Sequence, residues 1–309
     1  MKLADIVICE FMDATAVSEA FAQYDVLFDP ALVDKPAALA AAVRDARALI
    51  VRNRTEVRGA LLAAATDLRV VGRLGVGLDN IDLAACRARN IAVCPASGAN
   101  DQSVAEYVIT SALMLLRGAW LSSRQVAAGD WPRTALIGRE MAGQCLGLVG
   151  YGAIARETAR RARALGMSVI ACDPYLAPDS PAWDDTESLE LDALLRRADV
   201  VSLHVPLTDE TRHLIDAAAI GTMKKDAILI NAARGGIVDE AALAAALRAG
   251  ELGGAALDVF EREPLSGADG ARFDDLSSLL LTPHIAGVTV ESNVRVSRVT
   301  AANVLKHLE

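Results

Sequence analysis

The sequence predicts an α/β fold made of two doubly wound parallel-sheet domains, one inserted into the other. Three observations predict it. Short apolar runs alternate with Ala-rich stretches at helical spacing, the pattern of a parallel sheet covered on both faces. One such run, Leu146–Val149, ends in Gly150-Tyr151-Gly152-Ala153-Ile154-Ala155, and a helical pattern and a strand leading to Asp173 follow at once. The composition turns to Pro, Ser, Gly and Asn around 95–100, and a last helical stretch comes after the last strand. The inserted domain is therefore expected at 99–286, and 1–98 with 287–309 should form the other.

In chain order, strands are expected at 5–9, 26–28, 48–51, 69–71 and 91–93, with helices at 15–22, 36–46, 58–65 and 83–88 between them. The segments after these strands are the informative ones, because ligands in open α/β sheets bind beyond the carboxyl ends of strands. Arg52-Asn53-Arg54-Thr55 follows one strand and Leu74-Gly75-Val76-Gly77-Leu78-Asp79-Asn80 another. A long apolar helix is expected from Asp101 to Gly118, more apolar than one core face needs; it either packs on a second subunit or is buried in its own domain. Alternation resumes with strands at 145–149, 168–172, 200–203, 227–230, 255–257 and 279–282. Helices should fall at 154–165, 189–196, 215–220 and 240–249. The final helix, 290–308, is expected to return to the first domain, leaving a cleft between two lobes.

The glycine motif carries a physical reading. Gly150 permits a tight turn, Gly152 lets a pyrophosphate approach the backbone, and Ala155 is small enough for helix and strand to pack closely. The phosphates would sit on the free amides at the helix start, and Asp173 would accept hydrogen bonds from the adenosine ribose. A carboxylate there repels a 2′-phosphate, so NAD is expected rather than NADP. Strand, helix and acid at this spacing make the motif specific.

Composition bounds the rest. The 309 residues suffice for two domains, and no apolar run approaches the ~20 residues of a membrane span. The N-terminal segment meets Asp5 too early for a signal peptide. Five cysteines, without Cys-x-x-Cys spacing, read as buried reduced thiols, so a cytoplasmic location is expected. A net charge of −9 argues against nucleic-acid binding, and it means that an anionic substrate needs local arginines, for which Arg52 and Arg54 stand at a strand end. No His/Cys/acid cluster has metal-ligand spacing, so no metal is implied.

Of four histidines, His284 follows the strand ending at Thr282 and precedes Ile285-Ala286-Gly287. Glu263 lies past another strand and Arg234 past a third, so all three point to one carboxyl edge, where the nicotinamide of a dinucleotide would lie. These types fit hydride transfer at a 2-hydroxy or 2-oxo acid. An imidazole takes the hydroxyl proton, and a carboxylate on its other nitrogen fixes the tautomer. A guanidinium grips the substrate carboxylate as a fork. His204, with Val205 and Pro206, ends a strand and is expected to line the cofactor pocket, Thr211 with them; His213 and His307 read as surface.

At this point the chain resembles the D-isomer-specific 2-hydroxyacid dehydrogenase family over essentially its whole length. Val149–Ala155 with Asp173, Leu203–Thr208, Ile230–Asp239, Ala256–Phe260 and Pro283–Gly287 carry the resemblance. It implies a Rossmann cofactor domain inserted into a flavodoxin-like substrate domain, and a catalytic set of Arg234, Glu263 and His284. It also implies NAD contacts from Ala153, Ile154, Asp173, Ala232, Ala233, Arg234, Asp258, His284 and Gly287, and a homodimer joined through the cofactor domain. Val51–Thr55 and Gly72–Asn80 are similar to the phosphoglycerate dehydrogenase and sulfolactate dehydrogenase branches. There the amides of Gly75, Val76 and Gly77 would bind the substrate carboxylate, and Arg52 or Arg54, beside Asn53, the distal anion. Glu263 argues against formate dehydrogenases, which pair the histidine with glutamine, and the regulatory extension of many phosphoglycerate dehydrogenases is not expected here. The expected substrate is thus 3-phosphoglycerate or sulfolactate. A broad hydroxypyruvate/glyoxylate reductase and an NAD(H)-binding corepressor are the alternatives.

Overall fold

A computed structural model describes residues 4–118 and 122–308; residues 1–3 and Glu309, at the ends of the expected outer domain, lie outside the described residues. The chain divides into two compact units, one running to Asn100 and resuming at Val288, the other Asp101–Gly287.

The outer unit holds β1 (Ile6–Ile8), β2 (Val26–Phe28), β3 (Ala48–Val51), β4 (Val70–Arg73) and β5 (Ala92–Pro95), all parallel, in the order β2-β1-β3-β4-β5. Its strands are apolar apart from Gly72 and Arg73 at the end of β4, because both faces are covered. Val7 and Cys9 belong to one buried layer, with Leu39 of α2 (Pro36–Ala42), Leu62 of α3 (Gly59–Ala64) and Cys86 of α4 (Leu83–Ala88). Ile6 and Ile8 face the other, with Val17 of α1 (Ala14–Ala20) and Val296 and Val304 of the C-terminal helix, Val290–Leu305. β4 and β5 run two residues further than periodicity suggests, because their ladder continues through Gly72↔Cys94 and Arg73↔Pro95. Pro95 costs no ladder bond there, since β5 is an edge strand.

The inserted unit begins with α5 (Asp101–Arg117) and the short α6 (Ser123–Ala127). Its sheet contains β6 (Cys145–Val149), β7 (Ser168–Cys172), β8 (Glu187–Ser188), β9 (Val200–Leu203), β10 (Ile228–Asn231), β11 (Gly254–Leu257) and β12 (Leu279–Leu281). All pair in parallel in the order β12-β11-β10-β9-β6-β7-β8. The strand order therefore reverses between β6 and β9, the switch point at which doubly wound sheets bind ligands. α5 and α7 (Ala153–Ala164) cover one face through Val108, Ile109, Ala112, Ala155 and Ala159. α8 (Leu191–Arg197), α9 (Ala217–Thr222) and α10 (Glu240–Ala249) cover the other through Leu194, Ile220 and Leu243. Periodicity misses β8, α6 and a one-turn α11 (Gly267–Gly270); β8 is two exposed residues with no apolar pattern to detect. α12 is the C-terminal helix, begun by a capping box of Thr289 and Ser292.

Candidate functional site

The switch point is built around Gly150, the first residue past β6. Its φ is +87°, and a Cβ there would lie 2.7 Å from the His204 carbonyl oxygen, so no other residue fits. Gly152 is different. It caps α7 with no side chain on the free amides, the first turn holds no acid, and a Cβ would meet nothing within 4 Å. The amides opening this twelve-residue helix, at Ala153 and Ile154, thus face open space with the positive end of the helix dipole behind them. Ala155 is fully buried against the strand. Asp173, at the end of β7, accepts from the Tyr151 amide at 2.8 Å and the Tyr175 amide at 3.0 Å, which fixes its carboxylate beside the turn. Open glycine backbone, free amides and an aimed carboxylate fit a dinucleotide.

His204 directly follows β9, and its amide donates to the Val149 carbonyl at 2.7 Å. Burial pushes its imidazole down to about 4, so the ring is neutral at ordinary pH, with Nε2 3.0 Å from the Ser202 hydroxyl. Val205 and Pro206 lead away from the strand. The Thr211 hydroxyl is used inside this loop, donating to the Pro206 carbonyl and accepting from the Thr208 amide, both at 2.7 Å.

Past β10, the buried Asn231 clamps the Ala232–Arg234 loop. Its side chain donates to the Arg234 carbonyl at 2.9 Å and accepts from the Ala233 amide at 3.1 Å. The half-buried Arg234 donates from Nη1 to the Ala233 carbonyl at 2.6 Å. Gly235 then passes so close to the loop after β11 that a Cβ would fall 1.7 Å from the Phe260 oxygen. The loop that carries Arg234 is thereby seated on the loop that carries Glu263.

His284 Nδ1 lies 2.7 Å from Glu263 Oε2, and Glu263 Oε1 accepts from the Phe260 amide at 3.1 Å. Burial works to raise the Glu263 carboxyl. The hydrogen bond and charge of His284, the Phe260 amide and the Arg234 charge outweigh it and hold the group below its ordinary value. Glu263 is therefore an anion at neutral pH, Nδ1 carries the donated hydrogen, and Nε2 is the nitrogen able to exchange a proton. His284 has φ +55°, a conformation that costs a non-glycine residue about 1 kcal/mol or more. Asp258 enforces it. Its backbone oxygen accepts from the His284 amide, and its fully buried carboxylate accepts from the Ile285 and Ala286 amides, all at 2.8 Å. The Thr282 hydroxyl adds a fourth bond at 2.7 Å. Burial lifts the Asp258 carboxyl above its ordinary value against the pull of these donors. Gly287 closes the turn.

In the outer unit, Glu10, just past β1, is buried, and its carboxylate accepts from the amides of Arg52 (2.8 Å), Thr55 (3.0 Å) and Arg54 (3.2 Å). The buried Asn80 donates to the Thr55 carbonyl at 2.7 Å and the Arg52 carbonyl at 3.2 Å. These two side chains hold the Arg52-Asn53-Arg54 loop. The Arg52 guanidinium lies over the Phe11 ring at 5.9 Å and donates to Asn293 Oδ1 at 3.0 Å, whereas the exposed Arg54 pairs with Asp34. Gly75 lies beneath the Arg73 guanidinium, which donates to the Leu74 carbonyl at 2.8 Å; Val76 and Gly77 continue this turn, with Val76 partly exposed.

Within the inserted unit, the structure brings Arg234, Glu263, His284 and the Gly150–Ile154 turn to the carboxyl edge of one sheet. Sequence reasoning missed Glu10, Asn80, Asn231 and Thr282 as the residues that hold these loops. Glu10 had a signal, a lone acid closing the apolar run Ile6–Cys9. No group of side chains able to hold a metal occurs among the described residues.

A family model described as D-isomer specific 2-hydroxyacid dehydrogenase, NAD binding domain, matches residues 109–286. The chain is 57% identical over 307 residues to the (S)-sulfolactate dehydrogenase of Chromohalobacter salexigens, covering 99% of each chain. It is 44% identical over 273 residues to the D-3-phosphoglycerate dehydrogenase of Mycobacterium leprae, 86% of this chain but about half of that longer one. Among solved structures, a D-lactate dehydrogenase from Aquifex aeolicus complexed with NAD and lactic acid superposes with a TM-score of 0.87 at 28% identity, covering 98% and 95% of the two chains. Set beside the open α7 terminus and the histidine–glutamate pair, these likenesses make the chain an NAD-dependent oxidoreductase that belongs to the D-isomer specific 2-hydroxyacid dehydrogenases.

Proposed function

We propose that the enzyme transfers hydride reversibly between NAD(H) and a three-carbon 2-hydroxy/2-oxo acid bearing a second anionic group, sulfolactate foremost and 3-phosphoglycerate second. The His284–Glu263 pair, 2.7 Å apart, carries the chemical reading. When bound, NAD takes the hydride from the hydroxyl-bearing carbon. His284 Nε2 takes the hydroxyl proton, Glu263 holds the tautomer and offsets the imidazolium charge, and Arg234 binds the substrate carboxylate. The Gly150–Ile154 turn and Asp173 hold the pyrophosphate and ribose; His204–Pro206, Thr211, Ala232–Arg234, Asp258 and the His284–Gly287 turn line the remainder of the cofactor. Arg52, Asn53 and Arg54, with the amides of Gly75, Val76 and Gly77, bind the substrate's anionic groups.

Full-length likeness to a sulfolactate dehydrogenase supports the first substrate. One observation favours a broad 2-oxoacid reductase instead: Arg54 already has a carboxylate partner in Asp34, so a distal anion must compete for it. Following NADH absorbance with sulfopyruvate, phosphohydroxypyruvate, hydroxypyruvate, glyoxylate and pyruvate decides between them. A strong preference for sulfopyruvate is expected. Similar slow rates on all five overturn the dianionic assignment, and no turnover with NADH still bound overturns the enzymatic reading.

The same reading includes a homodimer through the cofactor domain. Trp131 and Ile137 are each 79% exposed, and Val126 and Leu113 lie in the same stretch, apolar surface that association would cover. It also places the protein in the cytoplasm. All five cysteines are free thiols, which suits a reducing compartment, and no helix among the described residues is long and apolar enough to cross a membrane.

A further inference from the structure

We propose that Tyr107, on α5, is a positioning residue for the histidine turn, acting through Thr282 and Asp258 to hold His284 where its imidazole can exchange a proton. The inference rests on the reading of His284 as the acid/base group.

The Tyr107 hydroxyl lies 2.6 Å from Thr282 Oγ1, which lies 2.7 Å from Asp258 Oδ1. The direction of this chain follows from its chemistry. A carboxylate only accepts, so Thr282 spends its single hydrogen on Asp258, and the Tyr107 phenol must donate to Thr282. Each donor sharpens the next, because a hydroxyl that accepts a hydrogen bond is a better donor. The terminus of the chain is the Asp258 carboxylate, whose two oxygens also take the Ile285 and Ala286 amides on the far side of His284. His284 stands between Thr282 and these amides, in a left-handed conformation that L residues rarely adopt. Its backbone direction, and so the direction of its ring, depends on that carboxylate staying in place.

The origin of the chain gives it a purpose. α5 also packs on α7 through Val108 and Ile109 against Ala155 and Ala159. α7 is the helix whose first amides form the pyrophosphate cradle. Tyr107 therefore ties the histidine turn to the same helix that references the cofactor cradle. Hydride and proton transfer need both in register, and small displacements of such groups cost rate steeply. A phenylalanine would fill the half-buried site equally well, so the hydroxyl is the part that needs this explanation.

Three variants test it, each with kcat and KM for the best oxo acid, NADH affinity by fluorescence titration, and melting temperature. Tyr107→Phe is expected to lower kcat roughly 3- to 10-fold, the weight of one hydrogen bond, with KM and NADH affinity within about two-fold of wild type. Thr282→Val removes both links and should cost more, about 10- to 100-fold by the same scale, and Thr282→Ser should recover most of that loss. Wild-type kcat in Tyr107→Phe overturns the proposal, even if Thr282→Val fails to fold. So does a kcat loss matched by an equal loss of NADH affinity, which is the mark of a merely structural role. His284→Ala separates the two claims. If it turns over normally, the acid/base reading falls and this one with it; if it is inert while Tyr107→Phe is unaffected, only the Tyr107 role falls.

Discussion

Gly150 and Gly152 stand two residues apart in one motif, and only the first is required by the fold itself. At Gly150 the constraint is the protein itself, a left-handed φ and the His204 carbonyl 2.7 Å from any Cβ. At Gly152 there is no such constraint, since φ is −76° and a Cβ meets nothing. Gly150→Ala should therefore destabilise the fold by about 2 kcal/mol or more in urea unfolding. Gly152→Ala should leave stability within about 0.5 kcal/mol yet weaken NADH binding at least roughly ten-fold, because the methyl group occupies pyrophosphate space. Unchanged NADH affinity in Gly152→Ala would mean that the cofactor does not cross this turn. The motif was legible in the sequence as a unit. The separate roles of its two glycines were read there too; the clash that enforces the first was not, because it comes from a residue 54 positions away.

At the scale of elements, the strand ends carry the chemistry, and their chain positions were readable to within two residues. Helix starts were read from periodicity alone, and the structure adds the signal left unused: Asp13, Asp82, Asp216 and Asp239 each accept a first-turn amide of the helix that follows. What lies beyond a strand end depends on burial. His204, directly after β9, has its imidazole pushed down to about 4 by burial. Between that value and the ordinary 6.5, the unfolded chain binds a proton that the folded one refuses. The stability His204 leaves intact above pH 6.5 is thus lost as pH falls toward 4, at up to about 1.4 kcal/mol per pH unit. His204→Gln, which does not titrate, should flatten the decline in urea midpoints between pH 7 and 5. The same slope in both proteins would show that the imidazole is solvated.

At the scale of the whole molecule, the apolar stretch around Trp131 and Ile137 bears on assembly. Sedimentation at micromolar concentration should give a mass of twice 32.5 kDa, and replacing Trp131 and Ile137 together with Asp should give the monomer mass with little loss of melting temperature. An unaltered dimer in that variant would place the interface elsewhere, and a monomeric wild type would remove it. The sequence leaves this question open because a long apolar helix reads alike whether it faces its own core or a second subunit. In the structure α5 turns Val108, Ile109, Ala112 and Leu116 into its own unit and leaves Leu113 partly exposed.

By itself the sequence determined the fold class, the order of elements, the nucleotide motif and the three residue types at the sheet edge. Those follow from periodicity, turn chemistry and spacing, all of which are local. Only the tertiary structure decided what holds these groups in place: Glu10 and Asn80 under the Arg52–Arg54 loop, Asn231 under Arg234, Asp258 and Thr282 behind His284. Thr282 braces the Asp258 carboxylate, and the other four are buried polar side chains that satisfy backbone groups of a loop distant in sequence or turned back on itself. A partnership of that kind leaves no period in the chain, because it exists only once the strands have brought their carboxyl ends together.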